Sequence, residues 1–420
     1  MEGLSTVFLK DILIESKDGE WGKEHFDPDY IKMFVIRGTD FSSVRYGNID
    51  KVPCRYIRKN IAIRKKLQCD DILIETAGGT KDQPTGRSLF LKKHILDREI
   101  DFICASFSRF LRIDPQRAFP EFIFWYLQYL YTYGYMYPYH VQHTGVARFQ
   151  YTQFASQMIF QLPSYVEQQG IAHILGTLDD KIELNRRQNA TLEAMAQAIF
   201  KDWFVDFGPV RAKKEGRQPE GMSREIADLF PDRLDGEGKP EGWEWKTLDS
   251  ILELCYGKAL KASERIPGKT PVYGSGGITG YHNQALVITP SIIVGRKGTI
   301  GSLYIEHRPF YPIDTVFYVK SDYSIFFCYF ILKQQKLKDM NTDAAVPGLN
   351  RNNVYRLVFS MPSNIVIEKF DAYIQNIYKK IYHNYSEISI LISLRDTLLP
   401  KLISGELRVP DAEKMVADIV

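Results

Sequence analysis

Nothing in this 420-residue sequence pairs its cysteines. The five, Cys54, Cys69, Cys104, Cys255 and Cys328, are odd in number, scattered, and include no CxxC. That argues against a disulfide framework and against zinc, and it fits a reducing cytosol. No apolar run reaches the ~18 residues of a membrane span. The opening MEGLSTVFLKDILIESKDGE carries acids where a signal peptide would carry a basic head. Charge of one sign is also missing in excess: 54 Lys+Arg against 51 Asp+Glu leave +3, so no global basicity announces nucleic acid. What is there is ordinary for globular chains, with 45% hydrophobic and 25% charged residues, which excludes disorder and fibrous classes. The length exceeds one compact core. The expectation is a soluble, cytoplasmic, multi-domain protein, aromatic-rich at 25 Tyr and 25 Phe.

The familiar catalytic signatures are absent too. No G-x-x-x-x-G-K-[ST] loop offers a P-loop nucleotide site, and GSGGITG at 274–280 neither opens a predicted helix nor precedes the acid of a dinucleotide fold. A tight hairpin or a close backbone approach explains those glycines better. There is no H-E-x-x-H, no G-x-S-x-G elbow, and no Asp/Asn-Pro-Pro-aromatic run of the kind amino-methylating enzymes use. The carboxylate pairs Asp70-Asp71 and Asp179-Asp180 read as solvated turns rather than metal ligands. No coherent catalytic or metal centre emerges.

Along the chain, residues 1–161 mix β-like runs (DILIE at 71–75, FICASF at 102–107) with one apolar helical stretch, EFIFWYLQYLY at 121–131. Residues 162–207 lack Gly and Pro after Gly176 and read as one long helix. Residues 208–241 are rich in Gly, Pro and charge and read as a linker, with a short helix around Ser223–Leu229. Residues 242–360 return to β-like runs, 361–407 form a second long helix, and 408–420 are left as a C-terminal tail. The second half repeats the first.

Displacing the sequence by 199 residues lays Leu162-Pro163-Ser164 on Met361-Pro362-Ser363 and keeps the helices in step. Identities are few, but the apolar ladders agree. One is Ile171, Leu175, Leu178, Ile182, Asn185, Asn189, Leu192, Ala196, Ile199, Trp203. The other is Phe370, Ile374, Ile377, Ile381, Asn384, Ile388, Leu391, Arg395, Leu398, Leu402. Each is a heptad seam, so each helix needs a helical partner, and its twin is the obvious one. Asn185 and Asn384 share a rung; either they fix register as polar residues in an apolar seam, or they are solvated residues matching by chance. Helices about 58 Å long at about 1.5 Å per residue are most economically joined antiparallel, with one globule at each end. The expected class is α+β: two mixed α/β globules separated by long antiparallel coiled-coil helices, with an internal pseudo-two-fold repeat.

Local charge departs from the global balance. KVPCRYIRKNIAIRKK at 51–66 holds seven positive charges and no acid; it is either a phosphate-neutralising patch or a basic edge strand that resists aggregation. Glycine-flanked polar tips recur in both globules: AGGTKDQPTGRS at 77–88, GRKGTIGS at 295–302 and GLNRNN at 348–353. Glycine permits close approach to a groove, and Arg, Lys, Asn and Gln bond base edges. Val146-Ala-Arg-Phe-Gln150 also matches Val346-Pro-Gly-Leu-Asn350. The candidate DNA-binding residues are therefore Lys81, Arg87, Arg148 and Gln150 in the first globule, and Arg296, Lys297, Asn350 and Arg351 in the second. Phe200, Trp203, Phe204 and Phe207 crowd one helix end and Leu399 and Leu402 its counterpart; they are the candidate partner-binding residues, with packing on the neighbouring globule as the alternative.

NATLEAMAQAIFKDWFVDFGPVRAKKEG (189–216) resembles the central conserved region of type I restriction–modification specificity subunits, and LRDTLLPKLISGELRV (394–409) resembles the region closing their C-terminus. GRKGTIGSLYI (295–305), DTVFYV (314–319) and GLNRNNVYRLVFSMPS (348–363) are similar to strands and loops of their target-recognition domains. In the first globule DDILIETAGGT (70–80) fits, whereas GVARFQYTQF (145–154) departs from the Gly-Leu-Asn form.

That resemblance implies two target-recognition domains, each reading half of a bipartite, asymmetric site on double-stranded DNA. It implies a helix pair that acts as a ruler and docks two adenine-N6 methyltransferase subunits. It also implies no cofactor in this chain: S-adenosylmethionine, ATP and magnesium belong to the methyltransferase and restriction/translocase subunits. A coiled-coil adaptor with two protein-binding globules is the alternative.

Overall fold

The computed structural model describes residues 4–79, 83–142, 146–340 and 348–417. Two compact units divide the chain, Met1–Gln188 with His383–Val420 and Asn189–Tyr382. The division falls inside two long helices, Tyr165–Phe204 and Asn364–Ser404, so each unit takes part of both.

In the first unit a four-stranded antiparallel sheet runs in the order Leu13–Asp18, Ser108–Ile113, Ile72–Glu75, Ser88–Phe90. Ile72–Glu75 is buried throughout, which is why its sequence is a continuous apolar run rather than an alternation. A second sheet sets Tyr30–Ile36 between antiparallel Cys54–Arg58 and parallel Phe102–Cys104. Ser5–Phe8 pairs with Ile159–Leu162. Helix Pro120–Thr132 starts on a proline, whose fixed φ suits a first turn, and buries Phe122, Trp125 and Leu127.

The second unit repeats this plan. Its four strands run Glu253–Tyr256, Val316–Lys320, Ser291–Gly295, Leu303–Glu306, again antiparallel. Thr270–Gly274 lies between antiparallel Gly277–His282 and parallel Tyr311–Pro312, and Glu244–Thr247 pairs with Val358–Met361. Chain order, sheet order and strand sense all match. The class is two mixed α/β domains with long antiparallel helices and an internal repeat.

The seams are buried as the ladders require. In the first unit Ile171, Leu175, Leu178, Ile182, Ile388, Leu391, Leu398 and Leu402 are buried. Lys181 meets Glu387 at 3.5 Å and Asn384 Nδ2 donates to Gln188 Oε1 at 3.3 Å, so the strands of the seam run in opposite senses. In the second unit Asn189 Nδ2 donates to Ile381 O at 3.4 Å, and the rings of Phe200 and Phe370 lie 5.7 Å apart. Ser164 starts the first helix with a capping box: its hydroxyl accepts from Glu167 N, and the Glu167 carboxylate accepts from Ser164 N, both at 3.3 Å.

Three expectations need correction. Residues 208–241 carry the short helix expected around Ser223–Leu229, as Arg224–Ala227, but pack more closely than a linker needs to. Helix Gly208–Lys214 begins at Phe207, which takes a left-handed φ of 54° to turn the chain, and Val210, Ala212, Met222, Ala227 and Phe230 are buried. Pro209 starts that helix rather than breaking it, so the Gly/Pro content marked caps. The tail likewise carries helix Val409–Ala417 with Ala412 and Val416 buried. The carboxylate pairs are solvated only in part: Asp70 and Asp180 are exposed, but Asp71 and Asp179 are buried. Asp71 is fully buried against Arg112 (Nε–Oδ1 2.9 Å), and Asp179 lies between two arginines. Arg45 reaches Asp179 through Nε at 2.8 Å and Nη2 at 3.0 Å, and Arg395 through Nη1 at 2.6 Å. This is why an arginine occupies a rung of the ladder. Burial would raise the Asp179 carboxyl, but Arg45 and then Arg395 hold it below the usual carboxylate range.

No helix among the described residues is long and apolar enough to cross a membrane.

Candidate nucleic-acid interface

The central strand Ser291–Gly295 of the second unit runs straight into a tight turn. Gly301 N donates to Gly295 O at 2.8 Å, and Gly295 N to Ser302 O at 2.8 Å. A Cβ on Gly295 would stand 2.2 Å from Thr299 O, so only glycine closes it. The turn is then clipped to a second one: Leu349 N donates to Arg296 O at 2.8 Å, and Lys297 bridges to Gly348. All four candidates of this unit, Arg296, Lys297, Asn350 and Arg351, are thereby brought together.

Their side chains differ in freedom. Arg296 donates through Nη1 to Asp314 O at 2.9 Å, and its guanidinium carbon lies 5.0 Å from the Tyr256 ring. That of Arg351 lies 5.2 Å from the same ring, with Nη1 3.4 Å from Leu254 O. Lys297 is exposed. Among the described residues none of the three cations is in an ion pair with a carboxylate. Asn350 is different: its Oδ1 accepts from Asn352 N at 2.9 Å and Asn353 N at 3.4 Å, capping helix Arg351–Tyr355. A capped oxygen is not available for the bidentate grip on adenine, which needs both oxygen and nitrogen.

The first unit builds the same junction. Strand Ala147–Phe149 pairs with Ala77–Gly78, and Phe149 N donates to Thr76 O at 2.9 Å, the counterpart of Leu349 on Arg296. Arg148 and Gln150 are exposed there. Lys81 lies outside the described residues. Arg87 does not fit the expectation of a free base reader: Nε and Nη2 both grip the Glu75 carboxylate, at 3.0 and 2.6 Å, so its fork is occupied. Beside this junction the turn after Pro120–Thr132 exposes Tyr133, Tyr135 and Tyr137, part of the tyrosine excess.

The basic run at 51–66 divides between its two readings. Cys54–Arg58 is an edge strand, Arg55 pairs with Glu24 and Lys66 with Asp101, at 2.6 and 2.7 Å. Of its seven cations, Arg55, Lys65 and Lys66 pair with carboxylates among the described residues.

The helix-end residues proposed to face a partner are core instead. Phe200, Trp203, Phe204 and Phe207 are 2–8% exposed in the second unit, packed edge-on against Phe370, Phe230, Phe327 and Trp243. Leu399 and Leu402 are equally buried in the first unit. Three of the phenylalanines floor a cavity of about 270 Å³ whose lining also includes exposed Val205, Trp245 and Val358. An aromatic cluster at a helix end looks the same in sequence whether a partner or the chain itself covers it. Asn185 and Asn384 are buried at 2% and 0% exposure, which removes the solvated alternative.

Tyr256 carried no sequence signal, being one tyrosine among 25 on a short strand. Among the described residues no group of His, Cys, Asp and Glu is disposed to hold a metal ion.

The family model for the type I restriction modification DNA specificity domain matches residues 1–194 and 240–384. The HindI specificity subunit, of a type I restriction enzyme of Haemophilus influenzae, is 28% identical over 392 residues, covering 77% of this chain and 84% of that protein. The MjaIX specificity subunit of Methanocaldococcus jannaschii is 29% identical over 277 residues, 59% of this chain and 60% of that protein. The crystal structure of the type I restriction–modification S subunit from M. genitalium shares the fold, with a TM-score of 0.55 at 16% identity, covering 95% of this chain and 96% of that one. With the family model matching both halves, the chain belongs to the type I restriction–modification specificity subunits.

Proposed function

We propose that the chain reads a bipartite, asymmetric site on double-stranded DNA, one target-recognition domain per half-site. The domains comprise residues 1–161 and 242–360, with 162–207 and 361–407 as the spacer helices. The observation that carries this reading is the second unit's cluster of Arg296, Lys297 and Arg351, brought together where a glycine turn meets a short helix, with no carboxylate partner among the described residues. Uncompensated cations on a glycine-closed tip suit a polyanion whose groove they enter. The repeat supplies a matching junction in the first unit, where Arg148 and Gln150 are exposed. The helix pair sets the distance between the half-sites, and buried Asn185 and Asn384 fix its register.

The chain itself is non-catalytic in this reading. It docks two methyltransferase subunits, which bind S-adenosylmethionine, and restriction/translocase subunits, which use ATP and magnesium. It acts in the cytoplasm.

Modularity is the test. Replacing residues 242–360 by the matching segment of a relative, in complex with the modification subunits, is expected to change one half of the methylated motif and leave the other intact. Methylation mapping reads this directly. Simultaneous change of both halves defeats the one-domain, one-half-site reading; a complex with no sequence preference at all favours the protein-binding adaptor.

A further inference from the structure

We infer that Tyr256 is a positioning residue that holds Arg296 and Arg351 as a paired guanidinium fork for guanine in the half-site read by the second unit. This rests on the reading of the chain as a DNA reader.

Tyr256 ends strand Glu253–Tyr256 and pairs in register with Phe317, whose ring lies 5.0 Å away. It is 50% exposed, and no described residue bonds its hydroxyl. A half-exposed ring adds little to a core. Both guanidinium carbons nevertheless lie near its centroid, at 5.0 and 5.2 Å. Each arginine is also tethered by one nitrogen to a strand or turn carbonyl, Asp314 O for Arg296 and Leu254 O for Arg351. Two like charges brought to one ring with no acid among the described residues repel, and Arg351 Nε is buried without a partner. The quadrupole of the ring offsets part of that repulsion. What it gains is orientation: a guanidinium fixed by a ring and one hydrogen bond has lost its rotamer freedom before binding, and its remaining N–H groups form a fork. A fixed fork matches the O6/N7 edge of guanine, whereas a phosphate is met equally well by the mobile Lys297.

The experiment uses the full chain assembled with its modification subunits. The probes are duplexes bearing the motif that the wild-type complex methylates, with the second half-site replaced one base at a time. Tyr256→Leu is expected to lower the preference for guanine about tenfold, from the loss of two ring–cation contacts. The first half-site and thermal unfolding should not change. Tyr256→Phe, which keeps the ring, should behave as wild type. Arg296→Lys, which keeps charge but not the fork, should match Tyr256→Leu. The inference is overturned if Tyr256→Leu discriminates like wild type, if it weakens all duplexes equally, if Tyr256→Phe is as impaired as Tyr256→Leu, or if the second half-site contains no guanine. A wild-type complex without any sequence preference removes the DNA-reading itself; a wild-type preference with an unaffected Tyr256→Leu removes only the role of the ring.

Discussion

Each unit places a cation beside an aromatic ring where a short helix meets the four-stranded sheet, with ring and cation exchanged between helix and strand. The strand is the second of the sheet in the first unit and the first of the sheet in the second. In the first, Tyr151 opens the short helix Tyr151–Gln157 and Arg109 stands on the strand, 4.5 Å from its ring. In the second, Arg351 opens the short helix and Tyr256 stands on the strand. The surroundings differ more than the swap does. Arg109 is also held by Asp18, Nε–Oδ1 3.0 Å and Nη2–Oδ2 2.7 Å, as Arg87 is held by Glu75 and Arg112 by Asp71. Among the described residues the arginines of one corner are held by carboxylates, and those of the other are not. A single scaffold can therefore present two different faces without changing a strand, as the proposed reading of two different half-sites requires.

The largest effects should come from the helices, where the units also differ. The first unit anchors its helix segments through the buried Asp179–Arg45–Arg395 network; the second through the Phe200–Trp203–Phe370 aromatic cluster. Asp179→Ala leaves Arg45 without a carboxylate and Arg395 with Asp396 alone, and should cost about 3–5 kcal/mol. Phe370→Ala should cost a similar ~3–5 kcal/mol by opening a cavity. Hydrogen exchange on the full chain should place each loss in its own unit. Their pH responses should separate them. The carboxyl of Asp179 is lowered by folding, so its stabilisation is complete above the unfolded value of about 3.9 and fades as pH falls toward the folded one. The contribution of Phe370 has no such dependence. If acid erased both alike, the contrast between ionic and aromatic anchoring would be lost.

Much of this was legible in the sequence. The heptad ladders place both long helices and require a helical partner for each, and the economy of the connection between them gives the antiparallel sense. The 146–150 and 346–350 correspondence meets a matching pair of backbone bonds, Phe149 N to Thr76 O and Leu349 N to Arg296 O. What was illegible was commitment. Arg87 and Arg296 both sit on glycine-flanked tips, yet one is gripped by Glu75 twelve residues before it and the other stacks on Tyr256, forty residues before it in sequence. Asn350 reads as a base reader until its oxygen is found capping a helix. Composition around a residue does not reveal which partner already holds it.

The next effects concern those arginines. Arg296→Ala and Arg351→Ala should each cost about 1–3 kcal/mol on the target duplex and little on random DNA. Arg87→Ala should do the reverse. It strands Glu75, which is 3% exposed, and should lower the thermal stability of the first unit without altering base preference. Competition binding with target and random duplexes, beside thermal unfolding, distinguishes the outcomes. A specificity loss from Arg87→Ala equal to that from Arg296→Ala would show that the Glu75 pair opens on DNA, and the contrast between the two corners would fail.

Lys297 should give the smallest effect, and it sharpens the same contrast from the other side. Its ammonium is exposed and unpaired among the described residues, on the turn that also carries Arg296. A compact charge on a flexible stem has no fork to match a base edge, so its natural partner is a phosphate. Neutralising one phosphate releases its condensed counterions, which makes the contact depend on salt rather than on sequence. Lys297→Ala should therefore weaken target and random duplexes by the same factor and reduce the slope of log affinity against log salt by about one unit. Arg296→Ala should leave that slope nearly unchanged while removing discrimination. Titrations of both variants across a range of salt concentrations measure the two quantities at once. If Lys297→Ala instead altered the preferred base and left the slope alone, the division of labour between a fixed fork and a mobile charge would have to be reversed.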